Sequence, residues 1–297
     1  MASPCRIVTD NDDLASVGEE LVHLLERRWS RFLPSSEVNA VNDAAGHLVL
    51  VSDHTARLFE RAEFARVATG GRFNPLMLDR LELLGYRSDP TLPDVHPDGR
   101  FTQRAPVENR SIEVIREVGG VRLPAGSRFD PGGIGKGLAG DVVLEHLRSL
   151  GATTVQIELG GDVRVWGSNW TPGPWLVDVQ DPRDRSGILT RLELDAGAIA
   201  TSSVLGRRWT MGGRQVHHLI DPSTGQPSDT DVVSVTTTSS ELWWAEVVAK
   251  VAVLAGSHRA PSAMRQYGCS GVVLDRVGRL VSVTADKQGG ATQEALR

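Results

Sequence analysis

Phe129-Asp130-Pro131-Gly132-Gly133-Ile134-Gly135-Lys136-Gly137-Leu138-Ala139-Gly140-Asp141 is the stretch that decides how the rest of the chain is read. Glycines let backbone N–H groups approach a ligand closely, and a helix N-terminus directly after them favours an anion. Lys136 adds a full positive charge. Leu138 to Leu150 then reads as an amphipathic helix that stops at Gly151. One reading is a cradle for a phosphate-bearing ligand; an ordinary glycine-rich turn with a solvated lysine fits the same residues. The stretch is not a P-loop, because Gly137 follows the lysine where Ser or Thr is needed, and it is not the Gly-x-Gly-x-x-Gly dinucleotide fingerprint.

The 297 residues suffice for a large core in one or two domains. A net charge of -5 and a pI near 5.9 argue against a nucleic-acid binder, which would show a basic face. The two cysteines, Cys5 and Cys269, stand in no metal or redox spacing and read as reduced thiols. No apolar run has the length of a signal peptide or a membrane span. The expectation is a cytoplasmic, soluble protein with no membrane insertion.

The periodicity predicts a strand at 5–8, a helix from Asp12 or Asp13 through Phe32, and a second helix capped by Ser52 or Asp53. Residues 86–110 read as an irregular excursion, and 111–115 and 120–123 as short strands. After the 138–150 helix, alternating strands follow at 153–159, 163–166, 175–179, 189–194 and 198–202. Gly212-Gly213 reads as a hairpin turn, Val232 to Thr238 as a strand, and 241–255 as a helix capped by Ser239 or Ser240. A closing hairpin over 272–283 precedes a polar C-terminal tail, 285–297. Antiparallel-looking groups of strands with helices between them predict an α+β fold.

Three further clusters carry candidate chemistry. Glu158-Leu159-Gly160-Gly161-Asp162 is a tight turn between strands, or a plain hairpin. His217-His218-Leu219-Ile220-Asp221-Pro222-Ser223-Thr224-Gly225 offers a histidine for proton transfer near neutral pH, and only one of the two can share a strand face with a site. Upstream, Thr201, Ser202 and Ser203 offer hydroxyls to a phosphate. In the apolar helix after Trp244 the only charges are Glu246 and Lys250, four apart and so neighbours on one face. In a mostly buried helix, such charges must be paired or face a polar site.

Taken together and in order, these clusters resemble the ApbE-type flavin transferases (FAD:protein FMN transferases), over about Pro4 to Val283. The family's early pattern is matched by Ser30, Phe32, Ser36, Glu37 and Asn42, and its Thr-x-Gly-x-Phe-Asp-Pro pattern by Thr69 to Pro75, with Asn74 for the aspartate. Its Asp-x-Gly-Gly-Ile-Ala-Lys-Gly signature is matched from Asp130, with Gly135 for the alanine, through to Asp141. Gly160-Gly161-Asp162, Thr201-Ser202-Ser203 and His218 to Pro227 complete the set.

The resemblance implies a T-fold-like core with mixed or antiparallel sheets and flanking helices, and a single domain over 1–284 made of two interleaved subdomains. It implies FAD held in a cleft between them, and transfer of its FMN half onto a Thr or Ser of an acceptor flavoprotein, with release of AMP. His218 and Lys136 would be catalytic. The nucleotide would be held by Asp130, Gly132, Gly133, Lys136, Asp141, Gly160, Gly161, Asp162, Thr201, Ser202, His218, Asp221 and Thr224.

The family also holds Mg²⁺ through a backbone carbonyl of the glycine loop and an Asp and a Thr of the late helix. Here the implied donors are the Gly135 carbonyl and Glu246, and Lys250 stands where the Thr ligand would be. An ammonium has no lone pair and cannot ligate. The departure opens alternatives: a member with a lost or altered metal site acting as an FAD pyrophosphatase, as another flavin-dependent enzyme, or as a non-catalytic flavin-binding protein.

Overall fold

A computed structural model describes residues 4–86 and 111–285. The excursion expected at 86–110 and the C-terminal tail fall, but for a residue at the edge of each, outside the described residues. In chain order the elements are β1 (Cys5–Thr9), α1 (Asp12–Trp29), α2 (Glu37–Asp43), β2 (Val49–Leu50), α3 (Asp53–Ala68), α4 (Leu78–Leu83), β3 (Glu113–Ile115), β4 (Gly120–Arg122), α5 (Gly135–Ser149), β5 (Val155–Leu159), β6 (Asp162–Trp166), β7 (Trp175–Asp181), β8 (Asp184–Leu194), β9 (Gly197–Ser203), β10 (Arg208–Met211), β11 (Arg214–His217), β12 (Ile220–Asp221), β13 (Gln226–Pro227), β14 (Val232–Ser239), α6 (Leu242–Ala255), α7 (Ala260–Gln266), β15 (Ser270–Asp275) and β16 (Leu280–Val283). The mixture of helices with antiparallel sheets is the α+β class expected.

The described residues within Ser3–Val22, Lys136–Gly206 and Asp229–Arg297 form one compact unit. Its frame is a seven-stranded sheet in the order β1-β5-β6-β9-β14-β15-β16, antiparallel at every pairing. Period-two alternation sorts its faces. On one face Ala198 and Ala200 of β9 pack against Leu242 and Ala245 of α6. On the other, Val163, Val165 and Ile199 pack on Trp175 of the β7–β8 hairpin. Small residues under α6 let the helix lie close to the sheet. The helix is apolar nearly all round and buried along its length, as its sequence requires.

The described residues within His23–Gly135 and Arg207–Ser228 form the other unit. It holds α2, α3, α4, the three-stranded sheet β2-β4-β3, and the β10–β11 and β12–β13 hairpins. Met77, Leu81, Leu84, Tyr86, Met211, Val216 and Ile220 make a core against which Phe32 and Trp209 pack. Among the described residues, no helix is long and apolar enough to cross a membrane.

Local chemistry shifts three of the expected boundaries. The first helix ends at Trp29 rather than Phe32. The polar turn after it contains a helix that periodicity does not show, α2, capped by Ser36 Oγ on Asn39 N–H at 3.1 Å. The helix expected from Leu138 begins at Gly135, so Lys136 and Gly137 lie within its first turn. For α6 the position before the helix is Glu241, whose side chain makes no cap bond. Neither Ser239 nor Ser240 is the cap; the cap comes from another helix, as described below.

Candidate functional site

In the sheet-based unit, α5 and α6 terminate each other. Asp141 of α5 accepts the N–H groups of Leu242 at 3.0 Å and Trp243 at 2.9 Å, the first two residues of α6. Glu246 of α6 returns the contact: its Oε2 accepts Gly137 N–H, in the first turn of α5, at 2.8 Å. Each helix start thus receives the carboxylate that its exposed N–H groups and dipole favour. The exchange needs a close approach. A Cβ on Gly137 would lie 2.5 Å from Trp243 Cα and 2.7 Å from Leu242 O.

Lys136 projects into the same place. Its ammonium pairs with Asp162 Oδ2 and, at 2.9 Å, with Glu246 Oε1. Asp162 Oδ1 accepts Thr201 N–H at 3.0 Å, which ties the β5–β6 turn to β9. The lysine side chain is 23% exposed, against 3% for Asp162 and 7% for Glu246, so the lysine is the least enclosed member of the three. Burial works to lower the Lys136 pKa, but the charges of Asp162 and Glu246 outweigh it and hold the group above the ordinary lysine value. The lysine is therefore a permanent cation at neutral pH.

Sequence reasoning placed Asp141 among the nucleotide contacts. In the structure it is buried, and besides the α6 N–H groups it accepts Arg164 Nε at 2.8 Å. Arg164 also donates to the carbonyls of Val165 at 3.0 Å and Gly197 at 2.7 Å. Gly160 and Gly161 form the β5–β6 turn with left-handed backbones, and Gly160 N–H donates to Pro4 O at 2.9 Å. Thr201 Oγ1 bonds Thr236 Oγ1 at 2.9 Å, and Ser202 is half-buried beside it on β9.

In the other unit, Asp130 is held rather than loose. Arg31 Nε lies 3.0 Å from Asp130 Oδ1, and the Arg31 side chain is buried. Asn42 clamps the preceding residue, donating to Phe129 O at 3.0 Å and accepting Phe129 N–H at 2.7 Å. Asp130 N–H reaches Pro75 O at 2.8 Å. The Thr69–Pro75 turn is itself closed: Thr69 Oγ1 accepts Phe73 N–H at 3.0 Å and Asn74 Oδ1 accepts Leu76 N–H at 2.9 Å. A Cβ on Gly132 would meet Asp130 Oδ2 at 2.6 Å, so a side chain there would displace the carboxylate that Arg31 holds.

The same unit carries the histidines. The His217 ring is used inside the loop: Nδ1 accepts Leu219 N–H at 3.2 Å and Nε2 faces Ser228 O at 3.0 Å. An accepting Nδ1 puts the proton on Nε2, a neutral tautomer. The backbone N–H of His218, the next residue, bonds Arg207 O at 3.3 Å. Asp221 and Thr224 shape the following turn. Asp221 Oδ1 accepts the N–H and hydroxyl of Ser223 at 2.8 and 2.7 Å, and Thr224 Oγ1 accepts Gln226 N–H at 3.2 Å.

The donors expected for Mg²⁺ do not fit a divalent cation as they stand. The one carboxylate in the set, Glu246, has Oε1 on Lys136 and Oε2 on Gly137 N–H. Among the described residues, no group of three or more His, Cys, Asp or Glu side chains is placed to hold a metal. Mg²⁺ asks for near-octahedral oxygen ligation, and Lys250, one turn along α6 where the resemblance would put a Thr ligand, has no lone pair to give while protonated.

Sequence reasoning did not find Arg31 or Arg164. Both are buried guanidiniums whose partners lie far along the chain, and only their position in apolar surroundings would have flagged them.

The model of the ApbE family matches residues 1–273. An FAD:protein FMN transferase of Klebsiella pneumoniae (strain 342) is 26% identical over 276 residues, covering 90% of this chain and 84% of that protein. One of Vibrio cholerae serotype O1 is 26% identical over 261 residues, covering 85% and 76%. The crystal structure of the ApbE protein of Thermotoga maritima superposes with a TM-score of 0.83 at 26% identity, covering 94% of this chain and 93% of that one. The flavin transferase ApbE of Vibrio cholerae shares the fold, with a TM-score of 0.74 at 21% identity and coverage of 96% and 95%.

Proposed function

The chain belongs to the ApbE family, and from that premise we propose that it is an FAD:protein FMN transferase, moving the FMN half of FAD onto a Thr or Ser hydroxyl of an acceptor flavoprotein. The observation that carries the reading is Lys136, a permanent cation in the first turn of α5, three residues after Gly132-Gly133 and held by two buried carboxylates. Relatives that cover most of this chain are named for the same activity.

In this reading the acceptor oxygen attacks the phosphorus of the FMN half. The bond from that phosphorus to the bridging oxygen breaks, and AMP leaves with that oxygen. The acceptor's proton passes to His218 and then to solvent. Little covalent chemistry is asked of the protein, so positioning and charge balance carry the rate. Lys136 supplies charge to the pyrophosphate, where fixed donors act most strongly on developing charge, and the resemblance assigns the N–H groups of Gly132 and Gly133 to the same ligand. Thr201, Ser202 and the Gly160-Gly161 turn flank the phosphates. Asp221 and Thr224 hold the turn next to His218. Asp130 and Asp141 act through what they hold, the glycine loop and the start of α6.

Incubation with FAD and an acceptor flavoprotein tests the proposal. AMP and protein-bound flavin fluorescence on a denaturing gel are expected in equal amounts. Bound FAD with neither product would refute it, and AMP with free FMN but no adduct would make the chain a hydrolase.

A further inference from the structure

We propose that the resident cation of this site is the Lys136 ammonium, so that a pyrophosphate is held here without a divalent metal. The proposal rests on the flavin-nucleotide reading above and on the disagreement between the donors present and the Mg²⁺ site that the resemblance implies.

Three observations lead to it. The ammonium of Lys136 bridges Asp162 and Glu246, which is the place a metal would take between two acidic side chains. Glu246 has no oxygen without a donor: one carries Lys136 and the other carries Gly137 N–H. For a metal to take the place between Asp162 and Glu246, the Lys136 ammonium must leave it, giving up charge-assisted bonds of about 1.5–3 kcal/mol each. Finally, among the described residues no group of three or more His, Cys, Asp or Glu side chains is placed to hold a metal, so the two carboxylates that Lys136 bridges are not joined by a third acidic donor. In the proposal, Lys136 is the cation that faces an incoming pyrophosphate.

Titration of the whole, chelator-treated chain with Mn²⁺, followed by the EPR signal of the free ion, decides the matter without reference to activity. The wild-type chain is expected to leave the free signal undiminished up to about 1 mM, the weak end of designed cation sites. Lys136→Ala deletes the ammonium and leaves Asp162 and Glu246 facing one gap, so it should take up one Mn²⁺ at least about tenfold more tightly. Saturable Mn²⁺ binding by wild type that Glu246→Gln abolishes would overturn the proposal. So would a folded Lys136→Ala chain that binds no more Mn²⁺ than wild type. Lys136→Met serves if the alanine variant does not fold.

FAD binding, read from flavin fluorescence, separates this proposal from the functional one. Equal affinity in excess EDTA and in excess MgCl2 supports the ammonium. Binding only with Mg²⁺ overturns it and leaves the transferase reading intact. Binding in neither condition defeats the transferase reading, and the Mn²⁺ titration still decides the cation.

Discussion

Replacing Asp141 by Asn tests whether the reciprocal caps of α5 and α6 hold the site. Both carboxylate oxygens are in use: Oδ1 takes Leu242 N–H and Arg164 Nε, and Oδ2 takes Trp243 N–H. An amide has one acceptor oxygen. Whichever way it turns, an NH2 group faces an N–H donor, so at least one charge-assisted bond of about 1.5–3 kcal/mol is lost. Arg164 meanwhile stays buried without its counter-ion, a change that costs about 3–5 kcal/mol in comparable pairs. The two losses share atoms and are not additive, so about 4 kcal/mol is expected, a large share of a typical folding free energy. Urea denaturation followed by tryptophan fluorescence is the assay, with Trp243 and Trp244 reporting from the first turn of α6. At an m-value of about 3 kcal/mol per molar, the midpoint should fall by about 1.3 M with the slope unchanged. Arg164→Met combined with Asp141→Asn should recover at least about 2 kcal/mol relative to the sum of the single changes, because the buried charge is gone. A midpoint within about 0.3 M of wild type for Asp141→Asn would show that the carboxylate is not what closes the two helix starts.

Other consequences are quicker to check. Gly137→Ala places a methyl 2.5 Å from Trp243 Cα, so the melting temperature should fall by several degrees, corresponding to about 1–3 kcal/mol of overpacking. His218→Ala should slow AMP release about 100- to 10,000-fold while FAD affinity stays within a few-fold; equal loss of both would assign the residue to binding. Burial pushes the Cys269 thiol up to about 12 from 9.0, so at pH 8 a disulfide reagent should modify exposed Cys5 and reach Cys269 only on unfolding. Because the folded value lies above the unfolded one, Cys269 lowers stability as pH rises beyond 9.0 and on towards about 12, by about 1.4 kcal/mol per unit.

Much of the fold was legible because it rests on local pattern. Val232 to Thr238 alternates and is β14; the Gly212-Gly213 pair turns the β10–β11 hairpin; the apolar run from Leu242 is α6. What could not be read depends on partners brought in from afar. The cap of α6 is a side chain from α5, so the local serines misled. The α2 helix is seven residues long, too short for periodicity to announce, and only Ser36 marked its start. In the candidate site, residue types were legible but their tasks were not. Glu246 and Lys250 stand one turn apart in sequence, yet it is Lys136 that bonds Glu246 Oε1, across 110 positions of chain. The Thr69–Pro75 and Asn42 matches read as signatures; in the structure they are the clamps that hold Phe129 and Asp130.

The seven-stranded sheet has a consequence for synthesis. Its edge strand β1 emerges first, but its partner begins at Val155, and β14, which pairs with β9, begins only at Val232. At about 5–20 residues per second, β1 waits roughly ten to thirty seconds for a neighbour. Sheets closed by such distant pairings form slowly, because the loop must be brought together before any contact rewards it. Once made, β9 in turn offers an open edge until β14 follows it, a template for pairing with another nascent chain. Slower growth, lower temperature or a holding chaperone should therefore raise the soluble yield more than any single stabilising substitution, and chains stopped before Val232 should collect in the pellet.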